Sequence, residues 1–280
     1  MATPAPSHFD ILEDIARELS GDVNFPTCLD AAILVRNALK DPFVRTEQIV
    51  QAIRIEPLIS SKLLRLANSV IYNPAGHPVS DLNTVIERLG IDIVRMTSLA
   101  VAMDQMLKSV HLSSYNAIAK SAWENSLQVA AIARMLARHN AYAAPDMAML
   151  AGLVHNIGIF YLLFRASAYP EYRHNEAAMI DLLTGWHEGI GESLLHSLGL
   201  PETITDAVRD QSHLTMLDTP RSVSDILYFS ITLAGNLPAW QNKVVAVEEA
   251  AWQEIIRSRH EPLRQAADDE IAELRAALST

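Results

Sequence analysis

Apolar residues recur at helical spacing along nearly the whole chain, and period-two alternation bounded by turn residues is hard to find in any window. The pattern predicts an all-α fold. Within residues 57–73, Ile59, Leu63, Leu66, Ala67 and Val70 fall at i, i+4, i+7, i+8 and i+11 and form one stripe. Ser61, Lys62, Arg65 and Asn68 lie off that stripe and are expected to reach solvent or a neighbouring helix. Pro26, Pro42 and Pro57 each suit the start of a helix, and NPAGHPVS over 73–80 reads as a loop. Asp81 is the expected N-cap of a helix closed by Gly90, and Ser113 or Ser114 that of a long helix running through Trp123 to about Arg138. Pro145 opens an apolar helix through Phe164, Gly199-Leu200-Pro201 marks a stop and restart, and Met216 to Ser222 is a turn-rich break. The tail from Pro262 to Thr280 suits an exposed amphipathic helix.

Composition narrows the class. Half of the 280 residues are hydrophobic, enough for a sizeable core. A single cysteine, Cys28, rules out an internal disulfide framework and points to a reducing, cytoplasmic setting, and the first ten residues lack the basic and apolar regions of a secretory signal. With 33 acidic and 22 basic residues the net charge is −11, which repels a phosphate backbone, so no direct nucleic-acid partner is expected. Residues 147–164 contain no Asp, Glu, Lys or Arg and approach the length of a membrane span. They also hold His155 and Asn156 in mid-run, and polar groups at bilayer depth are costly, so a buried central helix is expected and membrane insertion is not.

Several segments recur together. Gly152 to Gly158 reads GLVHNIG; Lys62 to Ser69, KLLRLANS; Asp81 to Gly90, DLNTVIERLG; Trp123 to Ser126, WENS; His187 to Pro201, HEGIGESLLHSLGLP, followed by Ala207-Val208-Arg209. In that order and at those spacings they closely resemble the HDOD (HD-related output domain) family, over about Phe25 to Leu237. The resemblance implies a helical bundle of two packed helical subdomains, related to the HD-type metal-dependent phosphohydrolases and used in bacteria as a signalling module. The corresponding division is an N-terminal helical extension over 1–24, an HDOD domain over 25–237 with parts at about 25–110 and 111–237, and a C-terminal helical extension over 238–280.

The catalytic relatives bind one or two divalent ions through a histidine, an adjacent His-Asp pair and a distant aspartate. Carried onto this chain, the first histidine is replaced by Asn125, the pair reads His155-Asn156, and the last aspartate falls at Gly235. One imidazole with two amides carries no negative charge to offset a cation stripped of water. His187 matches a family histidine, but the pair often found after Ala-Val-Arg-x is Gln211-Ser212 here. No metal and no cofactor is therefore expected, and Asn125, His155, Asn156, His187 and Gly235 read as a vestigial site or ligand pocket, most simply as a hydrogen-bonded buried cluster. Glu188, Glu192 and His196 share a helix face, which a solvated acidic surface explains. No nucleophile elbow and no Gly-rich phosphate loop is present. The leading reading is a non-catalytic regulatory module binding a protein partner, with Lys62, Arg65 and Asn68 as the candidate interaction strip. The alternatives are a degenerate phosphohydrolase acting on a nucleotide or cyclic dinucleotide, and a sensor holding a small polar ligand in the former active site.

Overall fold

The computed structural model describes residues 8–20, 45–54, 56–140, 142–173, 175–213, 216–235, 238–241 and 246–278, all helices and turns with no strand among them. Cys28, Pro26 and Pro42 lie outside the described residues. The helices are α1 (Phe9–Ser20), α2 (Thr46–Arg54), α3 (Pro57–Asn68), α4 (Leu82–Leu89), α5 (Ile91–Lys108), α6 (Asn116–Asn140), α7 (Pro145–Val154), α8 (Ile157–Ala166), α9 (Glu176–Ser197), α10 (Glu202–Arg209), α11 (Val223–Ala234), α12 (Val247–Ala266) and α13 (Asp268–Leu278).

Local chemistry accounts for many of the boundaries. Asp81 accepts a hydrogen bond from the Thr84 amide and starts α4, and Gly90, at φ 79°, ends it in a conformation that costs other residues a steric penalty. Pro57 and Pro145 each sit in the first turn of their helix. Ser222 caps α11 by accepting from the Asp225 amide. The long helix starts at Asn116, after a 3₁₀ stretch over Val110–Tyr115 takes up Ser113 and Ser114.

Helix α6 is the axis of the molecule. It packs most extensively against α7 and α11 and also meets α5, α8, α12 and α13, while α9 lies along α8 and α10. The small residues Ala119, Ala122, Ala130, Ala131 and Ala133 are all buried along α6 and let its neighbours approach closely. The apolar run is indeed interior, with 89% of its membrane-length window buried. It is not one helix: α7 ends at Val154 and α8 begins at Ile157, with His155 and Asn156 at the break.

Of the two positions expected for Lys62, solvent or a neighbouring helix, it takes the second: it is 1% exposed, because it lies one turn before Leu66 and shares the face that α3 turns to α5, and it therefore does not belong to a surface strip. Two further expectations are corrected. Val70 is 67% exposed, because α3 stops at Asn68 and the chain leaves the helical stripe. The tail is not an exposed helix: α13 packs on α3, α5 and α6 and buries Glu270, Leu274, Ala277 and Leu278.

Candidate functional site

The break between α7 and α8 places two polar side chains in the centre of the bundle. Asn156 has φ −91° and ψ 9°, a bridge conformation that interrupts the helix, and the helical hydrogen bonds resume from its carbonyl to the amides of Ile159 and Phe160. Two glycines flank the break and set its depth. A Cβ on Gly152 would lie 2.6 Å from the Ala130 Cα in α6, and one on Gly158 would lie 2.0 Å from the His187 carbonyl oxygen in α9. The motif from Gly152 to Gly158 is therefore a wedge pressed between α6 and α9, and the glycines are there for backbone contact.

At the tip of the wedge, His155 and Asn156 have no exposed surface, and Asn125 and Gln211 are 4% and 2% exposed. His155 Nδ1–H donates to the Gly152 carbonyl at 2.7 Å, and Nε2 stands 3.1 Å from Asn125 Oδ1. Asn156 Nδ2 donates to Asn125 Oδ1 at 3.0 Å, to the Ala122 carbonyl at 3.2 Å and to Ser126 Oγ at 3.3 Å. Gln211 Nε2 reaches the His155 carbonyl at 3.4 Å. His187 is also buried, its Nδ1–H donating to the Leu183 carbonyl at 2.7 Å.

The electrostatics follow from this enclosure. Burial pushes His155 down to about 4; its bond to the Gly152 carbonyl opposes the shift and the nearby His187 adds to it. The ring is thus neutral at pH 7, with its proton on Nδ1 and a lone pair on Nε2. A lone pair facing Asn125 Oδ1 is repulsive. Turning the Asn125 amide would give Nε2 a donor at the cost of the Asn156 bond to Oδ1, so one of the two contacts stays unmatched. Asn125 Nδ2, Asn156 Oδ1 and Gln211 Oε1 are buried without a hydrogen-bond partner in the described structure.

The structure brings Asn125, His155 and Asn156 into direct contact, adds Ser126 and Gln211, and sets His187 within electrostatic reach of His155. Gly235 does not join them: it is exposed and caps the C-terminal end of α11 at φ 80°. His213 is exposed as well. Glu188 is bonded to the Ser212 hydroxyl and Glu192 lies 3.3 Å from Arg209, so the acidic face of α9 is occupied by neutral and cationic partners. The candidate strip divides: Lys62 is interior, Asn68 pins the 73–80 loop through two-way bonds of 2.8 Å with the Val79 backbone, and Arg65 donates to the Ala276 carbonyl in α13.

A metal fits this donor set poorly. His155 is the only imidazole in the contact group, Nδ1 is already committed, and its partners are neutral amides. Among the described residues, no three His, Cys, Asp or Glu side chains come together as metal ligands.

The HDOD domain model matches residues 25–214. The chain belongs to the HDOD family. Among solved structures, the HDOD fold here is similar to that of a candidate metal-dependent phosphohydrolase from Shewanella amazonensis SB2B, at 23% identity and TM-score 0.73, covering 97% of this chain and 99% of that one. It is also similar to an HDOD domain protein of unknown function from Geobacter sulfurreducens, at 20% identity and TM-score 0.53, covering 91% and 96%. A candidate signal transduction protein from Marinobacter aquaeolei VT8 shares 18% identity at TM-score 0.58, with 100% of this chain and 68% of that one covered. At these identities the likeness is one of fold. No curated protein matches the sequence.

Proposed function

We propose that this HDOD protein is a non-catalytic regulatory module that acts by binding another protein. The observation that carries the reading is the buried group of Asn125, His155 and Asn156, in which a neutral imidazole is enclosed by amides and no carboxylate takes part. Water becomes a nucleophile at neutral pH when a cation depresses its pKa, and the cation must first be held by enough anionic or imidazole donors. Here those donors are replaced, and the wedge serves to lock α6, α7, α8 and α9 together. The Marinobacter relative's description as a signal transduction protein agrees with a regulatory role, as does the family itself.

Elemental analysis of chelator-free protein, together with turnover assays on cyclic dinucleotides and nucleoside phosphates with manganese and magnesium, tests the catalytic half. The expected result is no stoichiometric ion and no turnover; one ion per chain with turnover abolished by His155→Ala would overturn it. In-cell cross-linking of the tagged chain tests the other half, and is expected to return one defined protein partner. A second reading, a sensor for a small polar ligand, is favoured by the three unpartnered amide atoms in the cluster. It requires the core to open, and a rise in melting temperature with added nucleotide would support it.

A further inference from the structure

The C-terminal helix α13 lies outside the segment matched by the family model. Nearly every polar group it turns inward crosses to another element. Glu270, 8% exposed at its side chain, accepts from Arg134 of α6 at 2.8 Å and lies 3.6 Å from Arg138. Glu273 accepts from the Val70 amide at 3.2 Å, Arg275 pairs with Glu124 at 2.6 Å, and the Ala276 carbonyl accepts from Arg65. The seat under α13 thus gathers Arg65, Arg134 and Arg138 on a chain whose net charge is −11, and the helix that fills it opens with Asp268, Asp269 and Glu270.

Three features make this helix easy to lift. Eleven residues are too few for a stable isolated helix, and its fully buried apolar side chains are only Leu274, Ala277 and Leu278. The junction with α12 at Ala266-Ala267 has no glycine or proline, and Ala267 sits at φ −79°, ψ −11°. Alanine is the strongest helix former, so no residue at the junction itself forces the bend, although Asp268, Asp269 and Glu270 favour a helix start just after it. Release also does not strand a buried charge. Arg134 keeps Asp146 at 3.3 Å and the Tyr72 ring at 5.2 Å, while Glu270 and Arg138 gain water.

We propose that α13 is a releasable latch, and that its seat on α3, α5 and α6 is the surface where an acidic amphipathic helix of a partner protein binds in its place. The pattern such a helix must present is that of α13: a carboxylate for Arg134, a second one three residues on for the Val70 amide, and leucines one and two turns beyond the first. An open groove of about 750 Å³ runs along one flank of α13, between Asp269, Glu270 and Glu273 of the helix itself and Val70, Ile71 and Arg138 of its seat, so α13 is not packed in on that side. Tethering gives α13 an effective concentration on the order of millimolar at its seat, so the latch stays shut until a partner or a weakened contact shifts the balance. The partner half of this proposal rests on the protein-binding reading above; the latch half does not.

Hydrogen exchange on the intact chain reads the latch directly. Amides of Ile271 to Leu278 are expected to exchange at least 100-fold faster than those of Ala130 to Ala137 in α6, because they open without global unfolding. A fluorescein-labelled peptide of residues 264–280 serves as the probe for the seat, and is expected to bind Glu270→Gln at least tenfold more tightly than the unaltered chain. Since Glu270→Gln touches a buried pair, the double variant Glu273→Ala with Arg275→Ala removes two outer ties and should shift binding the same way. Equal exchange in α13 and α6, or peptide binding that no variant changes, would overturn the proposal. Neither readout depends on whether the His155 cluster is catalytic, so this inference and the functional reading can fail separately.

Discussion

Adding one methyl group at Gly158 should cost far more than the same change made elsewhere on the helix it presses against. An alanine Cβ at 158 would sit 2.0 Å from the His187 carbonyl oxygen and 2.9 Å from both the His187 carbonyl carbon and the Gly191 nitrogen, against 3.4 Å for ordinary contact. All three are backbone atoms, so no rotamer change relieves the clash, and α8 and α9 must part by about 1.4 Å, the difference between 3.4 and 2.0. A gap of 0.5–1 Å already forfeits roughly a quarter to a half of the dispersion at the surfaces that separate. Overpacking of this kind costs roughly 1–3 kcal/mol and sometimes more, whereas the gain in helix propensity from Gly to Ala is about 1 kcal/mol. We expect Gly158→Ala to lose about 3 kcal/mol, and Gly152→Ala, whose Cβ meets the Ala130 Cα at 2.6 Å, a comparable amount. Gly185 and Gly189 in α9 supply the control, because a Cβ there meets nothing within 4 Å. Gly185→Ala and Gly189→Ala should each stabilise by about 0.5–1 kcal/mol. Urea denaturation followed by circular dichroism measures all four. A Gly158→Ala protein as stable as Gly189→Ala would refute the wedge.

Other perturbations follow from the same contacts. Trp123, 4% exposed in α6, should cost roughly 3–5 kcal/mol when replaced by alanine, and a loss below about 0.5 kcal/mol in the same denaturation assay would place it at the surface. Because His155 is held at about 4 against an ordinary 6.5, the unfolded chain binds the proton more readily between those values. The associated stability is complete above pH 6.5 and falls as the pH drops toward 4, by about 3 kcal/mol for this one group; His155→Gln should flatten that part of the stability–pH profile. Glu270→Ala removes one partner of a buried ion pair and lowers stability less than the roughly 3–5 kcal/mol typical of such changes, since Asp146 still compensates Arg134; a melting curve shows whether the loss stays under that range.

What the sequence determined by itself was set by local physics. The helical class follows from periodicity, and the starts at Asp81, Pro57 and Pro145 and the end at Gly90 follow from capping and proline geometry, which depend on a few adjacent residues. The family could be read from GLVHNIG and its companion motifs, and the contact of Asn125 with His155 and Asn156 followed from that resemblance. Tertiary structure decided the rest. Residues 147–164 look like one helix because apolar composition does not register a single bridge-region residue, and the break at Asn156 falls between the two glycines whose backbones meet α6 and α9. The sequence leaves Lys62 between solvent and a neighbouring helix because a stripe drawn from apolar residues alone omits a polar neighbour on the same arc, and only the packing of α3 on α5 encloses it. Gly235 was matched to the family's last aspartate because Ala234 precedes it in a late helix, whereas a glycine that closes an apolar run is itself the local mark of a helix C-cap, and the structure places it there, exposed. Glu270 looked solvated within an acidic tail; its burial depends on Arg134, 136 residues earlier, and pairings at that separation are fixed by how helices assemble and not by any spacing along the chain.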